Sequence, residues 1–129
     1  MQLTTFLMFA GTAQSALRSY VALFPDSRIV SLELYQAGER GSAGSVKRAV
    51  FELHGVRYIC IDSPVQHDFT FTPAISLFVE CDSLQQFEHL VTTLSVEGKV
   101  FMPPAAYGFS QRFAWLQDRF GVSWQFNLP

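Results

Sequence analysis

Residues 46–62, VKRAVFELHGVRYICID, decide how this chain folds. Val46–Leu53 and Val56–Asp62 are runs rich in β-branched and apolar residues, and only His54-Gly55 separates them. Two residues make the shortest hairpin connection, and glycine supplies the positive φ that such a turn requires. The stretch therefore predicts a tight β-hairpin. Its second arm opens with Gly55-Val56-Arg57-Tyr58, and a related string, Gly121-Val122-Ser123-Trp124, stands near the end of the chain. The question is whether the elements around the motif return with it.

They do. Upstream of the first copy, Thr4–Phe9 reads as a strand closed by Ala10-Gly11. Thr12 is placed to cap a helix in which Ala13, Ala16, Leu17, Tyr20, Val21 and Phe24 recur at helical spacing until Pro25-Asp26. Arg28–Tyr35 then alternates, with Val30, Leu32 and Leu34 on one side and Ser31, Glu33 and Tyr35 on the other, as a half-buried strand does. Gln36–Ser45 holds three Gly and two Ala among polar residues and is the expected mobile segment, a candidate lid. After Ser63–Thr72 the order begins again. Pro73–Cys81 is a strand, Ser83 with Gln86 forms a capping box, and Leu84, Phe87, Leu90, Val91 and Leu94 line a helix that runs to Gly98. Lys99–Met102 is extended until Pro103-Pro104 breaks it, and Phe113–Gln117 and Val122–Leu128 close the chain as a hairpin around residues 118–121.

Each half thus reads βαβββ: module one over 3–62, a linker over 63–72 and module two over 73–128, in a single domain spanning 1–129. A unit this small cannot bury its own apolar face and is expected to pack against its copy. An unrelated α+β sandwich is the alternative topology. With 49% hydrophobic residues and thirteen Phe, the chain can fill a core and line an apolar pocket as well. A formal net charge of -2, with no local cluster of Lys and Arg, excludes the electrostatic footprint of nucleic-acid binding. Every apolar run is interrupted well short of the roughly 18 residues that cross a bilayer. Met1–Ala16 is uncharged and apolar like a secretory leader, but it has no basic start, and its apolar core Phe6–Ala10 is short, so it reads as a strand turning into a helix. Cys60 and Cys81 lie in strand-like runs, not at metal or redox spacing, and are read as buried, reduced thiols of a cytoplasmic protein, with a bridge between them as the alternative.

Strings along the whole chain resemble the PhnB-like branch of the vicinal oxygen chelate superfamily, whose domain often carries the label 3-demethylubiquinone-9 3-methyltransferase. They are Thr5–Phe9 with Leu23-Phe24-Pro25, then Cys60–Pro64, His67–Ala74 and Trp115–Gln125. The resemblance implies the glyoxalase/bleomycin resistance fold: α+β, two βαβββ modules forming incomplete curved barrels, each with a cavity, commonly in a homodimer. In metal-using relatives the cavity floor presents His, Gln or Glu at four positions, which carry over near Thr5, Cys60 or its neighbour Ile59, Ile75 and Gln125. Ile75 has no donor atom, and a hydroxyl, a thiol and a neutral amide include neither carboxylate nor imidazole, so no metal is expected. The methyltransferase label lacks a mechanism here. No Gly-rich strand-to-helix turn is present to hold a nucleotide-like cofactor, since Gly41–Gly44 falls between two strands, and no cofactor is expected.

The candidate cavity residues are Thr5, Cys60, Asp62, His67 and Phe69 from the first half and linker, and Ile75, Tyr107, Trp115, Trp124 and Gln125 from the second. Gln125 and Thr5 either orient a ligand or are satisfied core groups, and both readings stay open. Cys60, between Ile59 and Ile61, reads as an inert buried thiol rather than a nucleophile. His67 and Asp68 point to opposite sides of an extended segment, which leaves His67 alone, either a residue of the cavity mouth or an ordinary surface histidine. His54, in a turn, and His89, on a helix, have no partner at metal-ligand spacing. Tyr107, Phe109, Phe113, Trp115 and Trp124, joined by Phe69 and Phe71, are core or dimer interface, or a stacking surface for a flat ligand. The leading expectation is a metal-free homodimeric binder of a small organic molecule. A metal-dependent lyase, isomerase or dioxygenase of the same fold, and a structural dimer with vestigial pockets, are the alternatives.

Overall fold

The hairpin that opened the sequence reading forms with the expected bounds, Val46–Leu53 and Val56–Asp62. Both turn residues take positive φ, 50° at His54 and 80° at Gly55, as a two-residue turn of the primed kind demands. The structure, a computed structural model, describes residues 1–129. In chain order the elements are β1 (Thr5–Phe9), α1 (Ala13–Leu23), β2 (Arg28–Leu34), β3 (Val46–Leu53) and β4 (Val56–Asp62). There follow β5 (Leu77–Glu80), α2 (Leu84–Ser95), β6 (Lys99–Ala105), β7 (Arg112–Gln117) and β8 (Ser123–Leu128). The fold is α+β with two open four-stranded sheets, and the βαβββ order is present twice.

The chain divides into two compact units, Met1–Thr70 and Phe71–Pro129. In the first, the sheet order is β1-β4-β3-β2, with β1 parallel to β4 and the other pairs antiparallel. α1 covers one face of this sheet, lying on β3 and flanked by β2 and β4. Strand alternation decides what it covers: Leu7 and Phe9 from β1, Ala49, Phe51 and Leu53 from β3, and Cys60 from β4 are all buried, as are Ala13, Ala16, Leu17 and Tyr20 of the helix. Removing a residue such as Phe51 from water stabilises the unit by about 1.5–3 kcal/mol. The second unit repeats the plan as β5-β8-β7-β6, with α2 on β7 and β8. Phe87, Leu90, Val91 and Leu94 of α2 are buried, as are Ala114, Leu116, Trp124, Phe126 and Leu128 of the sheet.

The strand registers refine the repeat. Tyr58 and Trp124 each stand three places beyond the turn glycine, and they pair with Thr5 and Leu77 respectively. Thr5 therefore corresponds to Leu77, not to Ile75, which precedes β5 altogether. The expected strand Pro73–Cys81 is real only over its last part.

Three further expectations are corrected. β6 runs through Pro103 and Pro104 to Ala105, because it is the edge strand, where a missing N–H breaks no inner ladder. Its pairing with β7 is irregular between Met102 and Ala105. Thr12 occupies the N-cap position of α1 but makes no side-chain cap. The amides there are satisfied instead from β4, where Asp62 Oδ1 accepts from Gly11 N (2.8 Å) and Ala13 N (3.0 Å) and Oδ2 accepts from Val46 N (2.8 Å). α2, by contrast, has the side-chain cap the sequence predicts, Ser83 Oγ accepting from Gln86 N, but the return bond of the box is displaced by one residue: Gln86 Oε1 accepts from Asp82 N rather than from Ser83 N. It stops at Ser95, ahead of Gly98. The segment 36–45 is closed at its base by Tyr35 and Ser45, and Glu39 ties Gln36 N to Lys47 Nζ across it.

Candidate functional site

Since neighbouring strand residues point to opposite faces, the residues that alternate with those under the helix define a second, helix-free face on each sheet, where Val50 and Phe113 are nonetheless buried. In the second unit the pairings set a row across all four strands: Phe78 on β5, Gln125 on β8, Trp115 on β7 and Met102 on β6. Directly opposed side chains lie roughly 5 Å apart, so the Gln125 amide stands between two aromatic rings. Phe78 is 55% exposed. In the first unit the matching row is Phe6, Ile59, Val50 and Ser31, and its inner positions carry no hydrogen-bonding side chain.

The amide row of the second unit carries a polar cluster. Trp115 Nε1 donates to Ser123 Oγ (2.9 Å), Ser123 Oγ lies 2.7 Å from Ser76 Oγ, and Gln125 Nε2 donates to Ser76 Oγ (3.2 Å). Gln125 Oε1 has no partner within the chain. Aromatic surface surrounds the cluster. Phe101 tilts against Trp115 with centroids 5.0 Å apart, and farther along β7 Phe113 meets the edges of Tyr107 and Phe109 at 6.2 and 5.1 Å. Tyr107 donates its hydroxyl to Pro103 O, which fixes the ring over this end of the sheet. On the other side of Gln125, Asn127 Nδ2 donates to the Glu80 carboxylate.

The sequence-predicted residues fall into three groups. Gln125 and Trp115 meet on this face, and Tyr107 stands at its end. Cys60, Asp62 and Trp124 point to the helix-covered faces instead. The Cys60 thiol is fully buried, and burial, with the Asp62 charge second, pushes its pKa up to about 12, which disfavours the thiolate form. Asp62 gives its carboxylate oxygens to three backbone amides. Trp124 is 2% exposed, donates to Asp118 Oδ2 (2.9 Å) and stacks on Phe126. The remaining residues lie off both rows. Thr5 has the parity of buried Leu7 and is exposed at the start of β1. Ile75 is 73% exposed ahead of β5. His67 holds Ser63 Oγ at 3.0 Å and stacks on Phe69 at 4.7 Å, a local contact within the segment after β4.

Sequence reasoning missed Ser76, Ser123, Phe78 and Asp118. Phe78 was open to discovery, since equating the two turn glycines and pairing β5 with β8 places it beside Gln125. Asp118 braces the second hairpin, its Oδ1 accepting from Phe120 N and Val122 N.

Taken unit by unit, the row positions do not fit a divalent ion. Phe6 and Ile59 in one and Phe78 in the other have no donor, and Gln125 offers a single neutral amide. No three His, Cys, Asp or Glu side chains are grouped as a metal site requires. Neither strand-to-helix turn fits a nucleotide-like cofactor, because Asp62 fills the amides before α1 and Ser83 and Gln86 those at α2. A shallow depression on α2, lined by Gln85, Gln86, His89 and Thr93, lies on the outer side of that helix, away from the Gln125 face.

The family model described as 3-demethylubiquinone-9 3-methyltransferase matches residues 1–127. The PhnB protein from Bacillus cereus is 44% identical over 100% of both chains, with a TM-score of 0.98. A protein from Pseudomonas aeruginosa is 22% identical, over 99% of this chain and 97% of that one, at a TM-score of 0.80. The genomically encoded fosfomycin resistance protein FosX from Listeria monocytogenes is 8% identical over 100% and 93%, at a TM-score of 0.58, and shares the fold alone. No curated protein matches the chain.

Proposed function

This chain belongs to the 3-demethylubiquinone-9 3-methyltransferase family, the PhnB-like branch of the vicinal oxygen chelate superfamily, and from that membership we propose that it binds a small organic molecule on the open face of its second sheet without a metal ion. One observation carries the reading: a neutral amide, Gln125, stands between two aromatic side chains on a helix-free face, joined to two serines and an indole N–H. Apolar surface supplies affinity in such sites, and a few convergent polar groups supply orientation. The donor chemistry supports the absence of metal, and no step of metal or methyl-transfer chemistry is assigned to the chain.

In the same reading the protein is a cytoplasmic homodimer. Two free buried thiols suit a reducing compartment, and no helix is long and apolar enough to cross a membrane. Sedimentation of the purified protein tests the assembly. The site is tested by titrating a panel of small aromatic compounds by calorimetry against wild type and Gln125→Ala. The expected outcome is a saturable ligand weakened about 10-fold by the substitution, which is the worth of one good hydrogen bond in a dry site. Stoichiometric uptake of Zn, Mn, Fe or Ni that depends on Gln125 would contradict the metal-free reading.

A further inference from the structure

The row beside Gln125 carries a charge that nothing in the chain neutralises. Glu80 on β5 stands opposite Asn127 on β8, and Asn127 stands opposite Phe113 on β7. A carboxylate only accepts, so the nitrogen of the Asn127 amide must face it, and Nδ2 reaches both carboxylate oxygens, at 3.3 and 3.1 Å. That contact holds the group and takes one acceptor position on each oxygen, leaving the outer positions to the exposed side of Glu80. The same reasoning fixes Oδ1 as the other end of the amide, where it is buried and meets no donor. Every uncommitted polar atom among the side chains of this row is therefore an acceptor. No cation answers them: Glu80 is in no ion pair, the Lys99 ammonium sits 5.5 Å above the Phe101 ring, and Arg112 shares the register of buried Leu128 on the helix-covered face. In the first unit the corresponding pair is Met8 and Ile61, and the charge has no counterpart.

We propose that Glu80, held in place by Asn127, is the seat of a protonated amine, and that the ligand class of the second sheet's open face is an ammonium compound with an aryl body. This rests on reading that face as the ligand site. The rings around the carboxylate suit both ends of such a molecule. Phe78, two places earlier on β5 and on the same face, is exposed beside the ammonium end, where an aromatic ring attracts a cation. Two strand spacings, roughly 10 Å, separate Glu80 from Phe113, against which the exposed rings of Tyr107 and Phe109 are packed. A molecule lying along the row thus reaches aromatic surface with its far end. Other charged ligands fit less well. An anion would meet Glu80 unscreened, and a hard divalent ion needs several oxygen ligands where the row has one carboxylate.

The test uses the full-length protein and two matched probes, 3-phenylpropylamine and 3-phenylpropanol, which differ by an ammonium in place of a hydroxyl. Calorimetric titration at neutral pH is expected to show the amine binding about 5-fold more tightly, the upper end of what an exposed ion pair supplies. Glu80→Gln keeps an oxygen within reach of Asn127 Nδ2 but removes the charge, and should bring the amine down to the affinity of the alcohol. Phe109→Ala should weaken both probes in equal proportion. Equal affinities in the wild type, or an amine preference that survives Glu80→Gln, overturn the ammonium seat and leave the face standing as a site. An aromatic compound that saturates with dependence on Gln125 while the amine does not bind also overturns the seat alone. Silence from the amine, the alcohol and the aromatic panel together overturns both.

Discussion

The two sheets are the same structure put to different ends. Their helix-covered faces follow one rule, with Tyr58 and Trp124, Cys60 and Phe126, and Asp62 and Leu128 at matching places beyond the turn glycines. Their open faces do not. Phe6–Ile59–Val50 has become Phe78–Gln125–Trp115, and only the second row carries hydrogen-bonding groups at its centre. On the first face the charged groups pair with one another at the side: Glu52 accepts from Arg28 and Arg57, and those hydrogen bonds, Arg28 first, hold its carboxyl below the usual range. Packing fixes one side of a duplicated sheet, while the other is free to diverge into a site.

The largest expected effect comes from an equivalent pair. Trp124→Ala removes a fully packed side chain and an indole bond to Asp118 and should cost about 3–5 kcal/mol in denaturant unfolding. Tyr58→Ala, at the same place in the first unit but only half-buried, should cost clearly less. Similar losses would break the claim that the second unit is packed more tightly at this position. Next, Asp62→Ala strands three backbone amides and is expected to cost about 2–4 kcal/mol by the same assay, with amide exchange accelerated at Gly11, Ala13 and Val46. Exchange that stays slow there would show that the carboxylate is not the cap.

Smaller again, Ile59→Ala should leave ligand affinity within about 2-fold while Gln125→Ala lowers it about 10-fold, a contrast that sharpens the difference between the rows. The smallest effect is one both units share. Burial raises Cys60 to about 12 and Cys81 to about 11, above the roughly 8.5 of an unfolded thiol. A raised folded pKa means the contribution is whole below about pH 8.5 and is lost as pH climbs through the folded values. Native protein should therefore resist a thiol reagent at pH 8 and react promptly once unfolded. Fast labelling of one cysteine alone would separate the two units.

What could be read in advance follows from how local the cause is. The His54-Gly55 turn and the Ser83 cap on α2 are contained within a few residues, and both formed as expected. The cap on α1 comes from Asp62, 49 residues beyond the amide of Ala13, and no window around Thr12 carries that information. The prolines of β6 misled because their effect depends on whether the strand is an edge, which only the sheet order decides. Gln125 and Trp115 were legible through the family resemblance. Ser76 was not, since its role depends on a contact with Ser123 set by the parallel pairing of β5 and β8.

The central claim, that the site lies on the second sheet's open face, is tested most directly by following backbone and side-chain N–H resonances during titration with a ligand from the aromatic panel. The Trp115 indole and Gln125 amide signals should shift and saturate together, while the Trp124 indole, tied to Asp118 beneath the sheet, stays put. Saturation with Trp115 and Gln125 unmoved, or shifts gathered on the backbone amides of Phe6, Ile59 and Val50, would contradict it.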